Sequence, residues 1–380
     1  MRTLTIGIDA RSATEVGAGR GRVVRELLRA LAAREHDNNR YILYARQQWT
    51  DPALDRALDG RFSWRLSEAR NPFWHLLAAR AGSRECDVFL SANSYLTTWF
   101  ASIPSVPIVF DLVTFEPAMQ PNRVSAVIER IALPPAVRRA SGFLAISQAT
   151  ADALTKRFPA AAGRTTVAPL GVAPALSADL DGEEAATLPP SGFVLSVGTL
   201  EPRKNLPRLV AAFRELDEDL RRSHPLVVVG AMGWQTGETL EALRSLGDGC
   251  VMLGRVSDEA LAELYRRCAV FCYPSLGEGF GLPVLEAMAA GAAVLTSNRS
   301  SLPEVGGETV AYADPYDVQE ISMQLEGLLR SPERRAELGE LARERAEQFS
   351  WERFADITLE ALERTVARKS TGQRAATMSV

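Results

Sequence analysis

Short apolar runs alternate with helical patterns along both halves of this chain, and that alternation restricts it to parallel sheets covered by helices. In the first half the runs fall at 4–8, 41–44, 87–90, 107–110 and 142–146. In the second half they fall at 193–197, 226–230, 250–253, 270–273 and 292–296. A chain of 380 residues exceeds what one hydrophobic core supports, so two domains are expected, at 1–173 and 192–350. The segment 174–191, rich in alanine, proline and acidic residues without an apolar period, reads as their linker. Residues 367–380 are small and polar and read as a frayed tail.

The densest chemistry lies in Glu278-Gly279-Phe280-Gly281-Leu282-Pro283-Val284-Leu285-Glu286. Val270-Phe271-Cys272-Tyr273, an apolar and aromatic run before Pro274, makes a buried strand whose C-terminal end feeds this loop, the usual ligand position in an open parallel sheet. The glycines allow close backbone approach, and Pro283 fits the first helical turn, where the exposed N–H groups attract phosphate. Glu278 in the loop and Glu286 one turn into the helix supply acceptors for the hydroxyls of a sugar and a ribose. The same pair also fits a solvated loop glutamate and a glutamate complementing the helix dipole.

A second strand, 193–197, runs into Gly198-Thr199-Leu200-Glu201-Pro202-Arg203-Lys204-Asn205-Leu206-Pro207. Lysine is rare here, at three (Lys156, Lys204, Lys369) against forty arginines, so Lys204 points to a need for a compact ammonium. Arg203 would fork onto phosphate oxygens while Lys204 adds a point charge. Asn205 and Pro207 read as the start signal of the following amphipathic helix.

These two motifs together resemble the donor site of glycosyltransferase family 4, built on the α/β GT-B fold with two Rossmann-like domains whose parallel sheets face each other across a cleft. Further similarity lies in I-G-I-D-A-R near Ile6, the glycine loop at Gly17, A-I-S-Q-A-T near Ser147, G-R-V-S-D-E-A-L at Gly254 and F-S-W-E-R-F near Trp351. The resemblance implies that Arg203 and Lys204 neutralise a donor diphosphate and that Glu286 bonds the nucleotide ribose. It implies that Glu278, with the amides of Phe280, Gly281 and Leu282, holds the donor sugar and its phosphate, and that Val256 lies beside the base. Gly17 and Gly19 match the loop that approaches the donor phosphate from the N-terminal domain, and the segment 351–366 matches the helix that crosses back to that domain. Where many members carry His-Asp-Leu, this chain reads Phe110-Asp111-Leu112, leaving Asp111 to orient an acceptor hydroxyl or to cap the next turn. The implied reaction is metal-independent transfer with retention, without a cofactor, from a GDP-mannose-like or UDP-sugar donor to a glycan or lipid-linked acceptor in surface-polysaccharide assembly.

Bulk properties fit that reading. No apolar stretch reaches membrane-spanning length and no signal-peptide core is visible, so a cytoplasmic location is expected. Cys86, Cys250, Cys268 and Cys272 lack paired metal-site spacing and read as buried reduced thiols, and Asp217-Glu218-Asp219 reads as a solvated helix face, so no metal is expected. Residues 1–170 carry a net charge of +7 and the remainder −11. A basic first domain suits peripheral contact with an anionic inner-membrane surface, with Arg123, Arg130, Arg138, Arg139, Val127, Ile128 and Ile131 as the best patch, interrupted at Pro134-Pro135; an ordinary solvated helix face fits these residues as well. With an overall charge of −4 and no interleaved basic and aromatic stripe, nucleic acid is not an expected partner. Three other classes stay open: a nucleotide-sugar epimerase on the same fold, a catalytically silent nucleotide-sugar-binding subunit, and a nicotinamide oxidoreductase suggested by Gly17-Ala18-Gly19-Arg20-Gly21, whose spacing departs from the dinucleotide fingerprint.

Overall fold

The computed structural model describes residues 3–15, 19–56, 60–92, 94–116, 119, 123–172 and 187–377. The chain divides into two compact units, one comprising Met1–Phe115, Arg123–Gly171 and Ser350–Val380, the other Glu116–Asn122 and Val172–Phe349. Residues 174–186 of the expected linker lie outside the described residues.

The first unit holds seven strands: β1 (Thr5–Asp9), β2 (Arg40–Ala45), β3 (Phe62–Leu66), β4 (Val88–Ser91), β5 (Ser105–Val109), β6 (Phe143–Ala145) and β7 (Thr165–Val167). They pair in parallel in the order β3-β2-β1-β4-β5-β6-β7. The central strands are buried almost throughout, because helices cover both faces and leave no side for polar alternation. The second unit repeats the plan with β8 (Val194–Val197), β9 (Leu226–Val229), β10 (Cys250–Gly254), β11 (Val270–Tyr273), β12 (Val294–Ser297) and β13 (Ala311–Ala313), ordered β10-β9-β8-β11-β12-β13 and again parallel. The order reverses between β8 and β11, and such a switch point opens a crevice at the carboxyl ends of the two strands.

The Leu206–Glu215 helix, which follows β8, buries Leu209, Val210 and Phe213 against Val194, Leu226, Val228 and Val270 and lies beside the Val318–Arg330 and Gly237–Arg244 helices. In the first unit, Leu133, Ala136 and Val137 of the Arg123–Arg139 helix pack with Val109, Phe143 and Leu154.

Two expectations change here. The Arg123–Arg139 helix runs unbroken through Pro134 and Pro135. The prolines remove the partners of the Arg130 and Ile131 carbonyls, and both of those residues are exposed, so water can serve them. The final helix, Trp351–Thr377, groups with the first unit against the Arg20–Ala32 helix and continues beyond residue 366, where a frayed tail was expected. Residues 367–377 contain no proline and are rich in alanine, arginine, lysine and glutamine, all good helix formers. The thiols are all free, but only Cys272 is fully buried, the other three being half-buried.

Candidate functional site

The loop after β8 forms a single 3₁₀ turn, Pro202–Lys204, closed by Asn205 in the left-handed region at φ 60°. Asn205 is buried and does not cap the next helix through its side chain. Its Nδ2 instead donates to the Pro274 carbonyl at 3.0 Å and the Pro315 carbonyl at 2.6 Å. The Leu276 N–H and the Ser275 hydroxyl both donate to the Arg203 carbonyl, at 2.8 and 3.0 Å. The loops after β8 and β11 are thereby tied together through backbone groups before any charge is considered.

Charge completes the tie. Lys204 Nζ donates to Glu278 Oε1 at 2.8 Å and also meets the Tyr273 hydroxyl, and Arg203 Nη1 pairs with Glu278 Oε2. Arg203 Nε lies 2.6 Å from Glu201 Oε1. The Tyr273 and Ser275 hydroxyls each donate to Glu278 Oε1 at 2.8 Å. Burial by itself would raise the Glu278 carboxyl, yet Arg203, Lys204 and the hydrogen bonds from Lys204 and Ser275 outweigh it and hold its pKa at about 2. Burial and the neighbouring Arg203 lower the Lys204 ammonium, against the pull of Glu278 and Glu201. The result is a pair of cations and a pair of carboxylates locked at the switch point.

Two glycines make room for this arrangement. Gly198, at φ 147°, lies so close to Lys204 that a Cβ there would stand 3.1 Å from the lysine Cε. Gly230, at φ 152°, faces the Gly198 carbonyl, and any side chain on it would fall on that oxygen.

Beside the cluster, the Leu282–Ala289 helix opens from Gly281 at φ 109°, with Pro283 in its first turn. Ser301 fixes the approach to it by donating to the carbonyls of Glu278 and Phe280, at 3.0 and 2.8 Å. The N–H groups of Phe280, Gly281 and Leu282 have no hydrogen-bond partner among the described residues. A helix start with unclaimed amides next to Arg203 and Lys204 is suited to a phosphate-bearing ligand.

Comparison with known proteins agrees with this geometry. The family "Glycosyltransferase Family 4" matches residues 18–176 and "Glycosyl transferases group 1" matches residues 184–345. The chain belongs to glycosyltransferase family 4. Among its relatives, O-antigen chain mannosyltransferase B of Escherichia coli is 40% identical over 172 residues, 45% of each chain. The MMP alpha-(1->4)-mannosyltransferase of Mycolicibacterium hassiacum is 29% identical over 329 residues, covering 80% of this chain and 78% of that one. The chain spans less than half the length of the first curated relatives it matches. Among solved structures, Anabaena Alr3699/HepE in complex with UDP and glucose matches with a TM-score of 0.71 at 17% identity, over 95% of this chain and 99% of that chain, a likeness of fold.

The remaining expected residues fall on both units. Glu286 is buried in the Leu282–Ala289 helix, with Oε2 accepting from the Tyr265 hydroxyl at 3.0 Å. Val256 is half-buried just past β10, at the carboxyl edge of the same sheet. Asp111 and Gly19 belong to the first unit. Asp111 follows β5 and accepts the Val113 N–H at 3.1 Å, while Gly19, at φ 55°, begins the Arg20–Ala32 helix. Gly17 lies outside the described residues. Phe110 carries the Arg20 guanidinium over its ring at 5.2 Å, so a fixed positive charge stands where the family pattern has histidine.

Sequence reading missed four contributors: Glu201, Asn205, Tyr273 and Ser275. Glu201 and Asn205 flank the Arg203-Lys204 pair in the motif, and Tyr273 ends a strand with a hydroxyl in an otherwise apolar run. It also passed over a network at the end of β1. There Asp9 and Arg11, both fully buried, pair at 3.2 Å, Arg11 Nη1 donates to Asn71 at 3.0 Å, and the guanidinium lies 3.9 Å over Trp74. Arg11 Nη2 meets His75 Nε2 at 3.4 Å, and His75 Nδ1 lies 2.8 Å from the Thr97 hydroxyl. Among the described residues no group of three or more His, Cys, Asp or Glu is placed to hold a metal ion, and no helix is long and apolar enough to cross a membrane.

Proposed function

We propose that this protein transfers a hexosyl group, of the mannose type, from a nucleoside diphosphate sugar to a hydroxyl of a glycan or lipid-linked acceptor during surface-polysaccharide assembly. The observation that carries this reading is the meeting of Lys204 and Glu278 at the carboxyl ends of adjacent strands, beside an open helix start. The mannosyltransferase relatives support the sugar, and the UDP and glucose of the Anabaena structure support the donor class, with a GDP-sugar as the other candidate.

As the bond from the anomeric carbon to phosphate breaks, its electron pair goes to the departing diphosphate. Arg203, Lys204 and the amides of Phe280, Gly281 and Leu282 stabilise that charge without a metal ion. Glu278 keeps both cations aimed and offers its carboxylate edge to the sugar. Glu286 contributes its carboxylate to the ribose, and Val256 lines the base. The acceptor oxygen bonds to the anomeric carbon on the face the phosphate leaves, and its proton passes to a phosphate oxygen, so the configuration is retained. In the first unit, Asp111 accepts from an acceptor hydroxyl. The exposed stripe Val124, Val127, Ile128 and Ile131 supports peripheral contact of that unit with lipid headgroups.

The test combines a thermal-shift screen against GDP-, UDP-, ADP- and dTDP-sugars with proton NMR of the product. Selective stabilisation by one donor is expected, because binding to the folded state alone raises its stability. An inverted anomer would exclude the same-face mechanism, and the absence of stabilisation by every sugar nucleotide would exclude the donor site.

A further inference from the structure

Two buried tyrosines reach the carboxylates of the second unit, one each. Tyr265, on the Asp258–Arg267 helix, donates its hydroxyl to Glu286 Oε2 at 3.0 Å. Tyr273, at the end of β11, donates to Glu278 Oε1 at 2.8 Å while accepting from Lys204 Nζ. The two rings are joined through a third. Phe271 and Tyr273 stand two residues apart on β11 and so share a face, with centroids 5.7 Å apart and planes inclined by 20°. Tyr265 meets Phe271 edge-on at 5.4 Å and 73°. All three rings are buried, and the Leu282–Ala289 helix that carries Glu286 packs against both β11 and the Asp258–Arg267 helix. Edge-on and stacked contacts at these distances are favoured aromatic geometries, so the rings form one continuous block under the site.

A glutamate carboxylate turns easily about its last torsion. A hydroxyl carried on a packed ring removes that freedom, and because a carboxylate has about four acceptor positions, one bond sets its plane without exhausting it. At the other end of the block, the Tyr273 hydroxyl lies between opposite charges and gives the Lys204 ammonium an uncharged acceptor beside Glu278.

We propose that Tyr265 and Tyr273 are positioning residues with divided tasks: Tyr265 orients Glu286 toward the ribose hydroxyls of the nucleotide, and Tyr273 holds Lys204 and Glu278 in place at its diphosphate. This rests on the donor-site reading above. Neither tyrosine touches the ligand. Both act by ordering charged side chains before the nucleotide arrives, so less affinity is lost to that ordering.

Calorimetric titration of the full chain with GDP, UDP and ADP, each alongside its 2′,3′-dideoxy form, tests the division. Wild type should bind its preferred ribonucleotide about tenfold more tightly than the dideoxy form, the worth of one hydrogen bond to a charged group. Tyr265→Phe keeps the ring and removes only the hydroxyl. It should weaken the ribonucleotide by about the same factor and leave the dideoxy form unchanged. Tyr273→Phe should weaken both forms equally. A merely structural tyrosine would not sort ligands by their sugar hydroxyls. Equal weakening of both forms by Tyr265→Phe, a ribose-selective loss in Tyr273→Phe, or unchanged affinity in either variant would overturn the proposal. Failure of the wild type to bind any of these nucleotides would instead overturn the donor-site reading, and the tyrosine assignment with it.

Discussion

Lys204 shows why a lysine persists in a chain that otherwise uses arginine. Its side chain is 10% exposed and threads between the Gly198 backbone and the Tyr273 ring, with Nζ 4.8 Å from the ring centroid. A guanidinium has no room there, so Lys204→Arg should fail to replace it. Lys204→Ala should lower turnover by about 10²-fold or more, the usual cost of removing one charge-stabilising donor from a buried site. Glu278→Gln should do likewise, because a neutral amide cannot anchor two cations. Circular dichroism should show both variants folded, and near wild-type transfer by either would mean that the chemistry lies elsewhere. Arg203, Lys204 and Glu278 were legible in the sequence because charged residues stood right after apolar strands. Tyr273 and Ser275 were not, since their hydroxyls gain meaning only once Glu278 folds back on them within its loop and Lys204 and the Arg203 carbonyl reach them from the loop after β8.

At the scale of elements, the network that joins the end of β1 to the Phe73–Glu85 and Tyr95–Phe100 helices should govern acid stability of the first unit. His75 accepts from Arg11 through Nε2, so Nδ1 carries the proton and donates to Thr97. Burial first, then Arg11 and Arg46, lowers its pKa to about 3 from 6.5. The unfolded chain therefore takes up a proton first as pH falls. The stabilisation is fully present above 6.5 and is lost progressively down to about 3. Between pH 7 and pH 5 this one residue should cost about 2 kcal/mol of stability. Urea unfolding at the two pH values should show that loss in the wild type and not in His75→Gln; an equal loss in the variant would rule the histidine out. The strands missed from sequence, β3, β7 and β13, are all sheet edges. Phe62 to Leu66 and Ala311 to Ala313 are only partly buried and Thr165 to Val167 half-buried throughout, so none carries the continuous apolar run that marked the interior strands.

Across the whole molecule, two sheets of matching order make the fold class readable from alternation alone, while the finer boundaries depended on a helix that continues through Pro134 and Pro135 and on helix formers that carry the last helix through residues 367–377. The division of charge, +7 in residues 1–170 and −11 in the rest, has a local counterpart: Arg203 and Lys204 of the second unit are held by two carboxylates, Glu201 and Glu278. Arg203 and Lys204 lie 75 and 74 positions from their shared partner Glu278 and meet it only through the pairing of β8 with β11. Such nonlocal pairing forms late, after loop-closure entropy has been overcome. On the proposed function, affinity for a nucleotide would emerge with the last long-range step of the second sheet. In a stopped-flow refolding experiment, a fluorescent nucleotide should report no earlier than hydrogen-exchange protection of Val270 to Tyr273; a binding signal in the burst phase would show that the Pro202–Lys204 turn recruits phosphate by itself.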